Sequence, residues 1–364
     1  MINPNRLELA RRRRGWTKTK LAQRVEVSTK SITNYESGDQ QPSEATLARI
    51  ADELGFPKSF FGEPDVEVIA ETAASFRSLA SLTASQRHQA LGAGTLAMLI
   101  DEWIEQRFTR PDPSIPTVDT TDPEQAAEIV RVEWDLGHRP IVNTVHLLER
   151  HGVRVFSLDE QGRDVDAFSF WRNARPYVLL NTTKSAEHSR FDAAHELGHL
   201  VLHRTGERGR EAEHQANQFA SAFLMPRAAV LPAGLQHATL LTLVRRKAEW
   251  KVSVVALIYR LHAVGVLTDW QYRSLYIAAS KKGYRLKEPN SVQPETSQVL
   301  KKVLDHLRTQ GVTRREIAKA VHLNVNDVDR LIFGLVMLAQ DGGAQTATRG
   351  TLSSERNHLR LVNP

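Results

Sequence analysis

His195 and His199 stand four residues apart, with Glu196 directly after the first, in the run Ala194-His-Glu-Leu-Gly-His199. On an α-helix, residues at that spacing project from one face about a turn apart, so both imidazoles can reach one ion. Glu196 is rotated by ~100° from His195, beside the ion rather than under it. A carboxylate there can take a proton from water, and this division of labour is the hydrolytic His-Glu-x-x-His pattern. The spacing predicts His195 and His199 as metal ligands and Glu196 as the catalytic base. Between and after the ligands, the stretch from Asp192 to Val201 is small or apolar, as a buried helix requires. Burying His, Glu and His without partners would incur a desolvation cost three times over, which an ion removes.

The chain has no cysteine. Thiolate sites and disulfides are excluded, so a metal must sit on His, Asp or Glu. A catalytic zinc takes three protein ligands and keeps one open position. Glu213, at the N-terminal end of a helix predicted over 211 to 224, is the preferred third ligand; Glu211, His214 and His203 stand as alternatives. Zinc is the expected ion, with manganese able to replace it. The donor to the developing oxyanion is open among Tyr177, His188 and Arg190. The strand from Tyr177 to Leu180 could pair with an extended substrate or could be core.

The elements that must position these groups follow from periodicity and breakers. At 364 residues, two or three domains are expected. Residues 1–62 read as a bundle of short helices, with breaks at Gly15, Glu26 to Ser28, Gly38 to Pro42 and Gly55 to Pro57. Residues 63–120 read as a helical connector and linker, whose long helix opens at a capping box of Thr83 and Gln86. A compact unit over 121–285 begins with helices started by Asp122-Pro123 and by Pro140. Three strands are expected at 153–157, 167–171 and 177–180, then the His-Glu helix and further helices to about 264. A polar stretch, Glu288 to Glu295, separates a small helical unit over 286–340. Residues 341–364 lack periodicity and are expected to be disordered. The fold class expected is mainly α within α+β.

Three segments in order, Pro176 to Asn181, Ser189 to His203 and Glu213 to Pro226, together resemble the ImmA/IrrE family of metallopeptidases. The resemblance covers about residues 120 to 265. It implies a zincin-like domain with a small three-stranded sheet, metal on His195, His199 and Glu213, and Glu196 as base. It further implies cleavage of a helix-turn-helix repressor or antitoxin, often in a stress response.

The segment Thr17 to Ser43 resembles a helix-turn-helix of the Xre/Cro repressor type, which lays its second helix in the major groove. Thr29, Lys30, Thr33 and Asn34 then face DNA, with Lys18 beside them, while Ile32 and Tyr35 face inward. Glu26 stands where such turns often carry glycine, which adopts that backbone more readily. The net charge is +6 with a pI near 9.5. Arg11 to Arg14 with Lys18, Lys20, Arg24 and Lys30 read as a dense basic patch, suited to a polyanion. A second, weaker helix-turn-helix spacing lies at Val312 to Phe333. With no span of apolar residues and no leader, a cytoplasmic protein is expected. The partners expected are DNA and a repressor or antitoxin substrate, with a homodimer allowed for. The competing reading is a DNA-binding transcriptional regulator whose peptidase-like domain serves mainly as a sensor or docking surface.

Overall fold

The computed structural model describes residues 1–71, 74–76, 82–158, 165–204, 207, 209–336 and 360–361. At the N-terminus the short helices are α1 (Pro4–Arg13), α2 (Lys18–Arg24), α3 (Thr29–Ser37) and α4 (Glu44–Leu54), then a 3-10 turn at Lys58–Gly62. Each α-helix starts on a polar side chain, Asn3, Thr17, Ser28 or Ser43, that accepts a first-turn N–H. Leu7, Leu21, Ile32, Ile50 and Phe60 fill the space between them. Glu26 holds the α2–α3 turn at φ 56°, a left-handed conformation that disfavours a Cβ, as expected there.

The arginine run does not form the basic patch expected of it. Arg11 is buried, donates to both oxygens of Glu36 (2.5 and 2.8 Å) and to the Trp16 carbonyl at 2.7 Å. Arg13 is buried too. Arg14 forks onto Asp327 at 2.8 and 2.7 Å and also holds the Leu54 carbonyl at 2.6 Å. The helix that carries them is packed against α3 and against the long helix that follows, so these cations are used inside the fold.

The connector contains a strand as well as a helix: β1 (Ala74–Phe76) precedes α5 (Ala84–Glu105), which opens on the expected Thr83–Gln86 capping box. A short β2 (Phe108–Thr109) follows. Next come α6 (Pro123–Glu133), capped by Asp122, and α7 (Thr144–Arg150). The expected start at Pro140 is wrong, because Asn143 caps α7 and accepts the His146 N–H at 2.8 Å.

The three expected strands are β3 (Arg154–Ser157), β4 (Ala167–Arg172) and β5 (Arg175–Leu180). Asn173 and Ala174, both at positive φ, make the tight β4–β5 turn. β5 also pairs in parallel with β3, and β1 adds antiparallel to the free side of β4, giving the order β1-β4-β5-β3. β5 is thus an interior strand, not an edge open to substrate.

Helix α8 (Ala186–Leu202) lies across β4 and β5, and α9 (Arg210–Leu224) packs against it. Beyond are α10 (Arg227–Val230), α11 (Leu240–Arg246), α12 (Val254–Ala263) and α13 (Asp269–Lys281). The C-terminal helices are α14 (Gln298–Thr309), α15 (Arg314–Ala320) and α16 (Val325–Ile332). The tail expected to be disordered lies outside the described residues, except β6 (Arg360–Leu361), which pairs with β2. Among the described residues no helix is long and apolar enough to cross a membrane.

Helices α15 and α16 repeat the local geometry of α2 and α3. Val321 matches Val25 (φ −97°, ψ 7° in both), and His322 at φ 55° matches Glu26. The second helix of this unit nevertheless faces inward, with Asp327, Val328, Leu331 and Ile332 buried and α16 packed on β3 and α5. The second helix of this unit is thus used to pack the body of the fold.

The stretch from Glu288 to Glu295 is not a loose separator either. Glu295 accepts the N–H groups of Thr144 and Val145 at 2.8 and 3.1 Å and pairs with buried Arg190. In return Glu149, at the end of α7, accepts Gln298 N–H at 2.9 Å, Val299 N–H at 3.2 Å and the Ser297 hydroxyl. Each of these two helices is thus capped by a carboxylate lying beside the other. Burial pushes the Glu149 carboxyl up to about 7 despite those three donors. Below its ordinary value of 4.5 the group is protonated in folded and unfolded chains alike. From there to about 7 only the folded chain keeps the proton, so rising pH removes up to about 3 kcal/mol. Urea titrations stepped from acid to mildly alkaline pH should show this fall, and Glu149→Gln should flatten it. An identical fall in the variant would rule the assignment out.

Candidate metal centre

Helix α8 starts on Ser185 and is enclosed by the sheet, α6, α7 and α9, so Ala193, Ala194, Leu197, Leu200 and Val201 are all buried. Gly198 permits the closest approach: a Cβ there would come 3.1 Å from the Phe219 ring of α9. That contact brings the first turn of α9, with Glu213, over the two histidines. His195 Nε2 and His199 Nε2 are 3.1 Å apart. Glu213 Oε2 lies 3.3 Å from the first and Oε1 3.4 Å from the second.

Ligands at ~2.05 Å around a tetrahedral zinc are separated from one another by about 3.3 Å. The three observed separations match that edge. Two imidazole nitrogens and a carboxylate converging so closely inside a protein are best satisfied by a shared cation, so these residues fit a divalent metal. Burial alone would raise the Glu213 carboxyl, but the facing His195 and His199 outweigh it and bring it down to about 2. The carboxylate is therefore the ionised form a metal ligand must be.

Glu196 is fully buried on the sheet-facing side of α8. The Ser169 hydroxyl, from β4, donates to Glu196 Oε2 at 2.7 Å. Sequence reasoning missed Ser169; its signal was a lone hydroxyl in the apolar strand Ala167-Phe-Ser-Phe-Trp171.

Of the alternative third ligands, Glu211 and His214 are exposed on α9. His203 sits behind His199, with the two Nδ1 atoms 3.0 Å apart, and its Nε2 faces Gln215 Oε1 at 2.9 Å. Among the oxyanion candidates, Tyr177 donates to Asp101 at 2.8 Å and Arg190 holds Glu295 and the Ile141 carbonyl. Both are thus committed to the framework. His188 stands 3.2 Å from Asp192 and 3.5 Å from Asp166, whose carboxylate also pairs with Lys184. It opens on a groove of about 580 Å³ lined by Phe191, Asn217, Tyr259, Tyr276 and Tyr284. Phe191 and Asn217, in its lining, stand one helical turn from His195 and Glu213.

At the other end of the chain, Thr29, Lys30 and Thr33 are exposed on α3 and Asn34 is half-buried, while Ile32 and Tyr35 are buried as expected. Lys18 lies on α2 and approaches Glu36 at 3.4 Å.

Residues 148–262 match the family model described as the IrrE N-terminal-like domain, a peptidase family. The chain carries an IrrE N-terminal-like domain. Residues 5–59 match a helix-turn-helix domain. No curated protein matches the chain. The IrrE-like match spans α8, α9 and the three-strand core, so the resemblance first seen in the motifs coincides with the site geometry.

Zinc titrated against a chromogenic chelator should bind as a single equivalent. His195→Ala or Glu213→Ala should weaken it 100-fold or more, to the order expected for a lost ligand. Ser169→Ala should leave zinc affinity unchanged but cost about 1–3 kcal/mol of stability, because buried Glu196 loses its donor. Loss of zinc binding in Ser169→Ala would contradict this division.

Proposed function

We propose that the chain is a regulatory metal-dependent endopeptidase that cleaves a partner helix-turn-helix repressor or antitoxin. In this reading its own N-terminal module, residues 1–62, brings it to DNA or to that partner, and residues 121–285 carry the catalytic unit. The observation that carries the reading is the convergence of His195, His199 and Glu213 beside Glu196. Zinc, or manganese in its place, is the proposed ion.

When bound, a divalent ion supplies Lewis acidity, which makes water more acidic and polarises a carbonyl. Glu196 takes the proton from the attacking water and delivers it to the leaving amine. Ser169 fixes one carboxylate oxygen, so the base is held in one orientation rather than sampling several. The groove beside His188 and Phe191 receives the chain on one side of the scissile bond.

His195 and Glu196 have no solvent-exposed surface in this state. Glu213 keeps part of its surface open, so approach to the site is from the α9 side. Thr29, Lys30, Thr33 and Asn34 on α3, with Lys18 beside them, are the proposed DNA contacts.

Purified protein with Zn²⁺ or Mn²⁺ should cleave a small helix-turn-helix protein where one is encoded beside it, with chelator abolishing cleavage. Glu196→Gln should bind metal as before and lose at least about 100-fold in rate; cleavage by that variant at the normal rate would sink the mechanism. Binding to the upstream DNA should weaken steeply with salt. Lys30→Ala should weaken it uniformly and lower the log–log slope by about 1. No binding even at low salt would instead leave the module as a partner-recognition unit.

A further inference from the structure

His203 and Gln215 form a hydrogen-bonded relay behind His199, and its polarity is fixed by the metal centre in front. His199 presents Nε2 to His195 Nε2 and to Glu213. A histidine that ligates through Nε2 is neutral and carries its proton on Nδ1. That Nδ1 lies 3.0 Å from His203 Nδ1. Two N–H groups cannot face each other, so His203 Nδ1 accepts and its proton resides on Nε2. There it meets Gln215 Oε1 at 2.9 Å, an acceptor in the place a donor needs one. Every atom of the relay is consistent with one tautomer of each ring.

The relay also closes a loop between two helices. His203 is one turn beyond His199 on α8, and Gln215 is two residues after Glu213 on α9. The helices that supply the three ligands are therefore joined a second time, behind the ligands. Rings of His195, His199 and His203 follow each other along one side of α8, with centroids 4.8 and 5.0 Å apart.

We infer that His203 and Gln215 are positioning residues for the metal centre: they set the tautomer and ring orientation of His199 and so raise its affinity for the ion. This rests on the reading of His195, His199 and Glu213 as the ligands. A purely structural role for His203 is the competing account, since it also ends α8, its N–H reaching the His199 carbonyl. The two accounts differ in what the side chain must be.

Asparagine places its amide oxygen where imidazole has Nδ1, whereas phenylalanine keeps the ring and loses the acceptor. Zinc affinity would be measured by chelator competition at one alkaline pH for wild type, His203→Asn, His203→Phe and Gln215→Leu. The expected result is a rise in Kd of about 10- to 100-fold in His203→Phe, a smaller rise in Gln215→Leu, and near wild-type affinity in His203→Asn. The visible bands of the cobalt-loaded protein should shift in His203→Phe and remain in His203→Asn. Circular dichroism of each metal-free variant shows whether it is folded, and Gln215→Leu supplies the readout if His203→Phe is not. Equal affinity in wild type and the folded variants, or equal losses in His203→Asn and His203→Phe, would overturn the inference. A wild-type chain that takes up no zinc would overturn the metal-centre reading itself, a different outcome from wild type binding and His203→Phe binding equally well.

Discussion

Helix α8 is buried along most of its length, and a charged or polar side chain buried there needs a partner. Its sequence nevertheless carries Glu187, His188, Arg190, Asp192, His195, Glu196 and His199. The rest of the fold is arranged around meeting those demands. Glu187 receives buried Lys247 at 2.8 Å, Ser291 and the Val292 N–H. Burial would raise its carboxyl, yet these donors prevail and lower it. Arg190 takes Glu295 and the Ile141 carbonyl, Asp192 faces His188, and Glu196 takes Ser169 from the sheet. The two histidines have Glu213 from α9. Segments separated by a hundred residues are thus assembled by the polar residues of one helix.

The same local structure serves two ends in this chain. The α2–α3 and α15–α16 turns share their backbone angles almost to the degree. What separates them is what the second helix packs against, α1 and α2 for α3 but β3 and α5 for α16. On α3 the exposed positions include Thr29, Lys30 and Thr33. On α16, Asp327 turns to Arg14 and the helix packs on β3 and α5. The motif specifies an angle between two helices; only side chains on the second helix determine what that angle is used for.

This difference explains what could be read from the sequence. The His195-Glu196-His199 spacing, the capping box at Thr83 and the three core strands are all local, set by residues within a turn or two. Glu213 was legible because it begins the next helix and the flanking apolar stripe fixes its face. The arginine run misled because charge says nothing about direction: Arg11 and Arg14 are bound by Glu36 and Asp327, one 25 and the other 313 residues away. The roles of Glu295 and the strand β1 were invisible for the same reason, and the lone hydroxyl of Ser169 gave no sign of its partner. Pro140 looked like a helix start, but Asn143 offered the first-turn N–H groups an acceptor, which proline lacks.

Shared use of the same residues has a consequence for how this site tolerates change. Glu213 links α9 to α8 through the two histidines, and Ser169 links β4 to α8 through Glu196. A substitution in the metal centre therefore acts on packing and on chemistry together, and activity alone cannot tell the two apart. Metal affinity can, because it depends on the donors, their tautomers and their orientation, whereas folding depends on whether each buried group has any partner at all. Ser169 on one side of α8 and His203 on the other touch the site without belonging to the His195, His199 and Glu213 group, and there the two quantities can be told apart.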